Sequence, residues 1–289
     1  MRTEKGILFI LPALVIFAIF ILFPAAQMFY YSFTQWDGLR LPKWIGLANF
    51  SRAVFVDEIF QKSFLNNVLY IIGTFVTEVA FGLGVAILLA KPFKGFGVFR
   101  TFFFAPYVIS MVAAGLLWAF IYDYNFGLVN DFLSLIGLSR LARPWLGDTS
   151  TALAAVTITS GWKYAGLYMI IFYAALQQIP KQLYEAANLD GASEWKQTWY
   201  ITLPLLFPAL RVALLLCIAG GFAAFALFFA MTNGQPFHST EIPSTWIIKH
   251  AFDRKNMGYG AALTLILIFV STGISLLYLI LTGRKEALS

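Results

Sequence analysis

Long apolar runs separated by short polar stretches set the pattern of this chain. A helix crossing the hydrocarbon core of a bilayer needs about 20 mainly apolar residues. Six stretches meet that length, at about 7–30, 68–90, 102–122, 151–176, 205–231 and 261–282. The pattern therefore predicts an all-α polytopic membrane protein with six transmembrane helices. The first run follows Arg2 and Lys5. A cleavable leader would carry an apolar core of only about 7–15 residues, so a retained span is expected, with Pro24-Ala25-Ala26 as the alternative processing site. Residues 31–67 are expected to form a mixed-charge loop, with Phe33, Trp36, Trp44 and Phe50 suited to a membrane–water boundary. Asp123, Asp131, Arg140, Arg143 and Asp148 mark a second polar connection before the fourth span. No internal repeat or low-complexity linker divides the chain, which predicts a single membrane domain over 1–289.

The longest polar interruption in the C-terminal half is the loop at 177–204. Pro180 stands where a first helical residue belongs, because its fixed φ and missing N–H suit a helix start. Gly191 stands where a left-handed stop belongs. Between them Leu183, Tyr184, Ala186 and Ala187 share one side of a helical wheel, and Lys181, Glu185 and Asn188 the other. Leu189 falls with the polar set and Asp190 with the apolar set, at a C-terminus that disfavours negative charge. A helix lying on lipid would carry a basic polar face instead. This short, mixed-charge helix with an outward leucine suits a protein partner; the plainer alternative is a hairpin covering the inner mouth of a bundle.

Composition narrows the class further. The 289 residues are 60% hydrophobic and 18% aromatic, with 12% charged and a mean hydropathy of +0.77, whereas soluble domains are about 25% charged. A formal charge of +6 does not indicate nucleic acid, since no basic stripe with spaced aromatics occurs. The lone Cys217 excludes a disulfide within the chain. His238 and His250 lack a cysteine or carboxylate at metal spacing, so no metal site is expected. No Gly-x-x-x-x-Gly-Lys-Ser/Thr loop is present, and neither Gly-x-Ser-x-Gly nor His-Glu-x-x-His occurs. ATP hydrolysis, if the chain depends on it, must come from another polypeptide.

Glu185-Ala186-Ala187, three residues, Gly191, nine residues, then Ile201-x-Leu203-Pro204 matches the cytoplasmic "EAA" loop in the membrane subunits of bacterial ABC importers. The Asp190-Gly191-Ala192 run resembles the version in carbohydrate permeases of the maltose-transporter type. The likeness extends to Tyr31-Ser-Phe33, Gly46-Leu-x-Asn49-Phe50, Lys94-Gly95, Phe99-Arg100, Pro106, Trp118, Gly127, Asn130, Trp162-Lys163, Thr232-Asn-Gly234-Gln-Pro236 and Gly258-Tyr259, nearly the whole chain. The resemblance implies a coupling helix between spans four and five that docks on an ATPase. Glu185 would meet a basic group there, Ala186 and Ala187 would permit close docking, and Gly191 would make the turn; Asp190, Ile201, Leu203 and Pro204 complete the motif. It also implies a second homologous permease, two ATPase subunits that hold ATP and magnesium, and an extracytoplasmic solute-binding protein. The cargo would be a sugar or oligosaccharide, carried by alternating access.

Orientation follows charges close to span ends. Arg2/Lys5, Lys91/Lys94/Arg100 and Arg284/Lys285 all fall on the side of the termini, which places that side and the loop at 177–204 in the cytoplasm of a prokaryotic inner membrane. Two ionisable groups lie near span midpoints, Glu78 and Lys163. Either alone in hydrocarbon costs about 2.5–3.5 kcal/mol or more, so each needs a partner or water. They line a translocation path, pair with each other, or pair with backbone carbonyls. Trp162, Tyr164, Tyr168, Phe225 and Phe228 are candidate plates for the apolar faces of a sugar, although most of the 30 phenylalanines must be packing. Gly73, Gly82, Gly84, Gly220 and Gly221 are expected to allow close helix approach. A glycerol-3-phosphate or polyol permease is the nearest competing reading, and a phosphate would want more cations than Lys163 supplies. An ion-driven secondary transporter would show repeats or interrupted spans, and the sequence shows no matched pair; a membrane-embedded enzyme ranks third.

Overall fold

The computed structural model describes residues 2–90 and 95–283. The flanking cations Lys91, Lys94, Arg284 and Lys285 lie outside the described residues. Two compact units are present, one from residues 1–61 with 246–270, the other from 62–245 with 271–289.

The first unit opens on a helix that begins at Arg2 and crosses as α1 (Ile10–Ser32). Ile16, Phe20 and Phe23 are among its many exposed apolar side chains, which suits contact with lipid. The expected loop after it is ordered. A two-stranded antiparallel ladder, β1 (Thr34–Gln35) with β2 (Lys43–Trp44), pairs Thr34 with Trp44, and α2 (Ala48–Phe55) follows. Asn49 locks this turn, its amide donating to the carbonyls of Ser32 and Thr34 at 2.9 Å each. Phe33 stacks on Trp44 at 5.5 Å and tilts against Phe50 at 5.2 Å. The aromatic residues assigned to a membrane boundary therefore also pack on one another, with Trp44 still exposed.

The second span starts ten residues earlier than the apolar run. As α3 (Glu58–Leu88) it includes Ser63, Asn66 and Asn67, polar but buried. Asn66 donates to the carbonyls of His238 and Glu241, and Asn67 to that of Gly221. These amides hold backbone that the bilayer cannot solvate, and so hydropathy alone undercounts the helix.

Spans three and five depart from expectation. In place of one helix over 102–122 there are two, α4 (Phe96–Val108) and α5 (Met111–Ile121), bent by 100°. Pro106, placed near a span start from sequence, lies in the last turn of α4, three residues before the chain becomes extended at Ile109. A short α6 (Leu128–Leu135) precedes α7 (Ala152–Leu176). Beyond α8 (Lys181–Leu189), the stretch at 205–231 divides as well. Here α9 (Glu194–Leu205) meets α10 (Phe207–Phe222) at 64°, and α11 (Ala226–Met231) is separate. The interrupted segments absent from the sequence reading are thus present. The chain closes with α12 (Pro243–Ile248) and α13 (Met257–Gly283). Among the described residues three continuous helices are long and apolar enough to cross a membrane, or up to five if each bent pair is one span. The 25-residue α7 is long enough, but its middle at 159–163 is polar.

That polarity is possible because α7 is the interior of the second unit. Buried residues run along it from Ala152 to Leu176, packed with Val79, Val85 and Ala86 of α3 and with Cys217 of α10. Small residues set the spacing. A β-carbon on Gly82 would meet the Ala165 carbonyl at 2.9 Å, and one on Gly73 would meet Thr157 at 2.6 Å. Gly221 bears the same relation to Ile71, whereas Gly84 and Gly220 have nothing within 4 Å and play no such part. The tightest approach of this kind in α7 was not anticipated: a β-carbon on Gly166 would lie 2.1 Å from the Phe103 carbonyl of α4.

Gly166→Val is expected to lower the thermal midpoint of the purified protein, with an overpacking cost of about 1–3 kcal/mol or more, while Gly84→Ala leaves it unchanged. Thermal unfolding in detergent checks both, and equal midpoints would contradict the packing described.

Candidate functional site

The loop at 177–204 folds into a defined protrusion. Pro180 takes the position just before the helix, one residue earlier than expected, with φ −60° and ψ 128°. The other end is a full Schellman stop: Ala192 N–H donates to the Ala187 carbonyl at 2.9 Å and Gly191 N–H to that of Asn188 at 3.1 Å. Gly191 supplies the required positive φ of 72°. The exposed residues of α8 include Glu185, Ala186 and Leu189, the last 90% exposed, and Asp190 follows as the exposed cap. The wheel's apolar side is split, because Tyr184 and Ala187 turn inward while Leu183 and Ala186 stay exposed. Tyr184 hydroxyl bonds the buried Thr202 hydroxyl at 2.9 Å. Gln197 of α9 donates its amide to Asn188 Oδ1 at 2.7 Å and to the Ala192 carbonyl at 2.9 Å, fastening α9 to α8. Ile201 and Leu203 are half-buried on α9, and Pro204 is exposed ahead of the bend.

The mid-membrane candidates do not form one site. Lys163 is buried, and its ammonium donates to the carbonyls of Tyr107 at 3.1 Å, Pro106 at 3.4 Å and Ile109. These carbonyls lie at the end of α4, where a cation is favoured by the helix dipole; that of Pro106 also accepts from Ile109 N–H at 3.2 Å. Lys163 also lies 5.7 Å from the ring centre of Tyr164 and 5.8 Å from that of Tyr107. Glu78 does not pair with it. Instead Ser160 donates to Glu78 Oε1 at 2.7 Å, and Ser160 also shares a hydrogen bond with Tyr70 at 2.9 Å. Glu78 sits in a widened π turn at Phe75–Ala80, a local form often found at functional positions. Tyr168 is buried in the α3–α7 core. Phe228 is buried against Tyr70, with ring centres at 4.8 Å, while Phe225 stacks on Phe229 at 5.3 Å. Trp162 packs edge-on to Trp118 at 5.6 Å and lines an apolar cleft of about 500 Å³ with Phe81, Phe102 and Pro106. No group of side chains suited to a metal ion occurs among the described residues.

One constellation was missed from sequence, in the first unit. Asp57 starts α3, its Oδ1 accepting from Phe60 N–H at 3.0 Å. Its Oδ2 accepts from Trp246 at 2.9 Å and Tyr259 at 2.7 Å. Asp57 before an apolar run is a readable helix-start signal, but the tryptophan and tyrosine come from nearly 200 residues away. Burial alone would raise the Asp57 pKa. The donors Trp246, Tyr259 and Phe60, with nearby His250, outweigh it and hold the carboxyl below its usual 3.8.

An α-helical integral membrane protein with bent spans, an interior polar helix and a protruding capped helix is the class that this architecture defines. Residues 79–286 match the family "Binding-protein-dependent transport system inner membrane component", and the chain belongs to that family. A probable ABC transporter permease protein of Bacillus subtilis, YurN, is 37% identical over 284 residues, covering 96% of this chain and 97% of that one. The sulfoquinovosyl glycerol transport system permease protein SmoG of Agrobacterium fabrum is 32% identical over 284 residues, covering 97% and 91%. In fold, the chain is similar to a bacterial alginate ABC transporter solved with an alginate pentasaccharide-bound periplasmic protein, with a TM-score of 0.83 at 22% identity, covering 98% and 96%. The chain is a permease component of an ABC importer and is not itself an enzyme.

Two outcomes follow from the geometry. Lys163→Met is expected to remove the donor to the Tyr107 and Ile109 carbonyls and destabilise the protein, with Lys163→Arg partly restoring it; unfolding in detergent reads this, and a stable Lys163→Met would remove the capping role. Because the Asp57 pKa is lowered on folding, its stabilisation is present above the unfolded value near 3.8 and fades as pH falls through the lower folded value. The midpoint difference between wild type and Asp57→Asn should therefore be constant from about pH 5 to 8 and shrink only in stronger acid.

Proposed function

We propose that the whole chain works as one six-span transmembrane domain that carries a sugar or oligosaccharide inward by alternating access, driven by an ATPase pair docked on α8. The observation that carries this reading is α8 itself. A nine-residue helix with a complete backbone stop presents Glu185, Ala186 and Leu189 outward, in the spacing Glu-Ala-Ala, Gly191, Ile201-x-Leu203-Pro204. A helix that only closed a bundle mouth would turn its leucines in. Glu185 offers a carboxylate to a basic group on the ATPase, the two alanines allow close approach, and α9 carries the movement to the spans. ATP and magnesium belong to that partner. A second homologous permease completes the path, and a solute-binding protein delivers cargo at the opposite face.

Both termini and α8 lie in the cytoplasm in this reading, with α7 as the fourth span and each bent pair counted once. Arg100, in the first turns of α4, supports that side. The sugar is favoured by the transport systems named for SmoG and for the alginate importer, and by aromatic surface beside Trp162. A phosphate-bearing cargo such as glycerol-3-phosphate is less well supported, since Lys163 is committed to backbone carbonyls.

Gly191→Val is expected to abolish uptake in membranes while the protein still inserts, because a β-branched residue resists the positive φ. Gly191→Asn, which tolerates that conformation, should restore much of it. Transport by proteoliposomes of the assembled importer, with a disulfide trap between Glu185→Cys and the ATPase, tests the coupling. Full uptake by the valine variant, or no trap under any nucleotide, would overturn it.

A further inference from the structure

The first unit holds a cleft of about 320 Å³ that the proposed function leaves unused. Arg52 and Arg254 line it. Each guanidinium lies over an aromatic ring, Arg52 on Tyr259 at 4.5 Å and Arg254 on Trp246 at 4.6 Å. Stacking of this kind fixes a planar fork in advance and leaves its N–H edges for a ligand. Neither guanidinium makes an ion pair with a carboxylate among the described residues. Arg254 Nη1 lies 3.0 Å from His250 Nε2. The one buried carboxylate at hand, Asp57, is engaged by Trp246, Tyr259 and Phe60, and its distance to His250 Nε2 is 3.9 Å. Glu58 also lines the cleft but pairs with neither arginine. Two stacked guanidiniums that neither Asp57 nor Glu58 of the cleft engages are an arrangement suited to an incoming carboxylate.

The surroundings say what brings that carboxylate. Leu47, Phe55, Val56 and Phe252, respectively 67%, 78%, 70% and 59% exposed, are apolar and belong to the segments that carry the two arginines. Apolar side chains flanking arginines are the make-up of a protein interface, where arginine is a frequent hot spot. A small free acid would gain nothing from these flanking side chains. On the orientation proposed above, these segments follow the first span and precede the last, which puts them outside the cytoplasm.

We propose that the cleft between Arg52 and Arg254 is a clamp for a carboxylate side chain on the solute-binding protein that serves this permease. The inference rests on the reading of the chain as an importer subunit with such a partner. The carboxylate enters between the two guanidiniums while Phe55, Val56 and Phe252 seal its edge. Trp246 and Tyr259, held by Asp57, keep both forks in place.

The assembled importer in phosphatidylcholine nanodiscs, with its own solute-binding protein as the probe, tests this. Arg52→Glu with Arg254→Glu is expected to weaken docking by about tenfold or more, with the loss smaller at high salt. Arg52→Gln with Arg254→Gln should show an intermediate loss and guards against misfolding, as does unchanged ATPase activity without the binding protein. Restoration by reversing an acidic residue on the binding protein identifies the partner group. Unchanged docking by both double variants would overturn the clamp. So would a loss of uptake of free acidic sugars with docking intact, or an effect seen only with anionic lipid. If the wild-type importer shows no stimulation by any binding protein, the underlying reading fails first.

Discussion

A helix broken inside a bilayer leaves carbonyl groups that lipid cannot satisfy. Everything in the second unit depends on how that need is met. Between α4 and α5 the chain turns through 100°, and the freed carbonyls of Tyr107 and Ile109, with that of Pro106 beside them, converge on the ammonium of Lys163. A buried cation and a broken helix would each be costly alone; together each supplies what the other lacks. The arrangement requires α7 to stand beside the break, and Gly166 against the Phe103 carbonyl permits that approach. Gly82 and Gly73 then bring α3 in from its own side, and Glu78 finds Ser160 there. The polar middle of α7 is thus a consequence of what it serves.

Much of this was legible in the sequence, because bilayer physics is coarse. Runs of apolar residues located the long helices, and proline and glycine bounded α8 to within one residue. The breaks were marked but not read as breaks: Ser110 caps α5 by accepting from Ala113 N–H, and Pro204 and Pro208 bracket Leu206, yet such residues also occur in spans that run straight through. Pro106 was visible, but the partner that makes a break tolerable sits 57 residues later in sequence. The extra turns at the start of α3 were hidden for the opposite reason. Asn66 and Asn67 look like loop residues until their bonds to distant carbonyls are seen.

The candidate site divides along the same line. The motif from Glu185 to Pro204 is local, and local geometry bears out its stop at Gly191. The suggested substrate path is not local, and Tyr168 and Phe228 turn out to be core packing while Trp162 reaches a cleft. With 30 phenylalanines in the chain, residue type says little about which aromatic faces a cavity. The Asp57 cluster shows the limit most clearly, since its members come from the two ends of the sequence and each looks ordinary alone.

The two bonds from Gln197 to Asn188 and Ala192 have a mechanical meaning. They make α8 and α9 a single crank, with its throw at Leu189 and its elbow at Leu206. A displacement of the outer end would therefore be carried rigidly to the 64° corner at the base of α10. Loosening that one glutamine would leave both helices folded and let the crank slip.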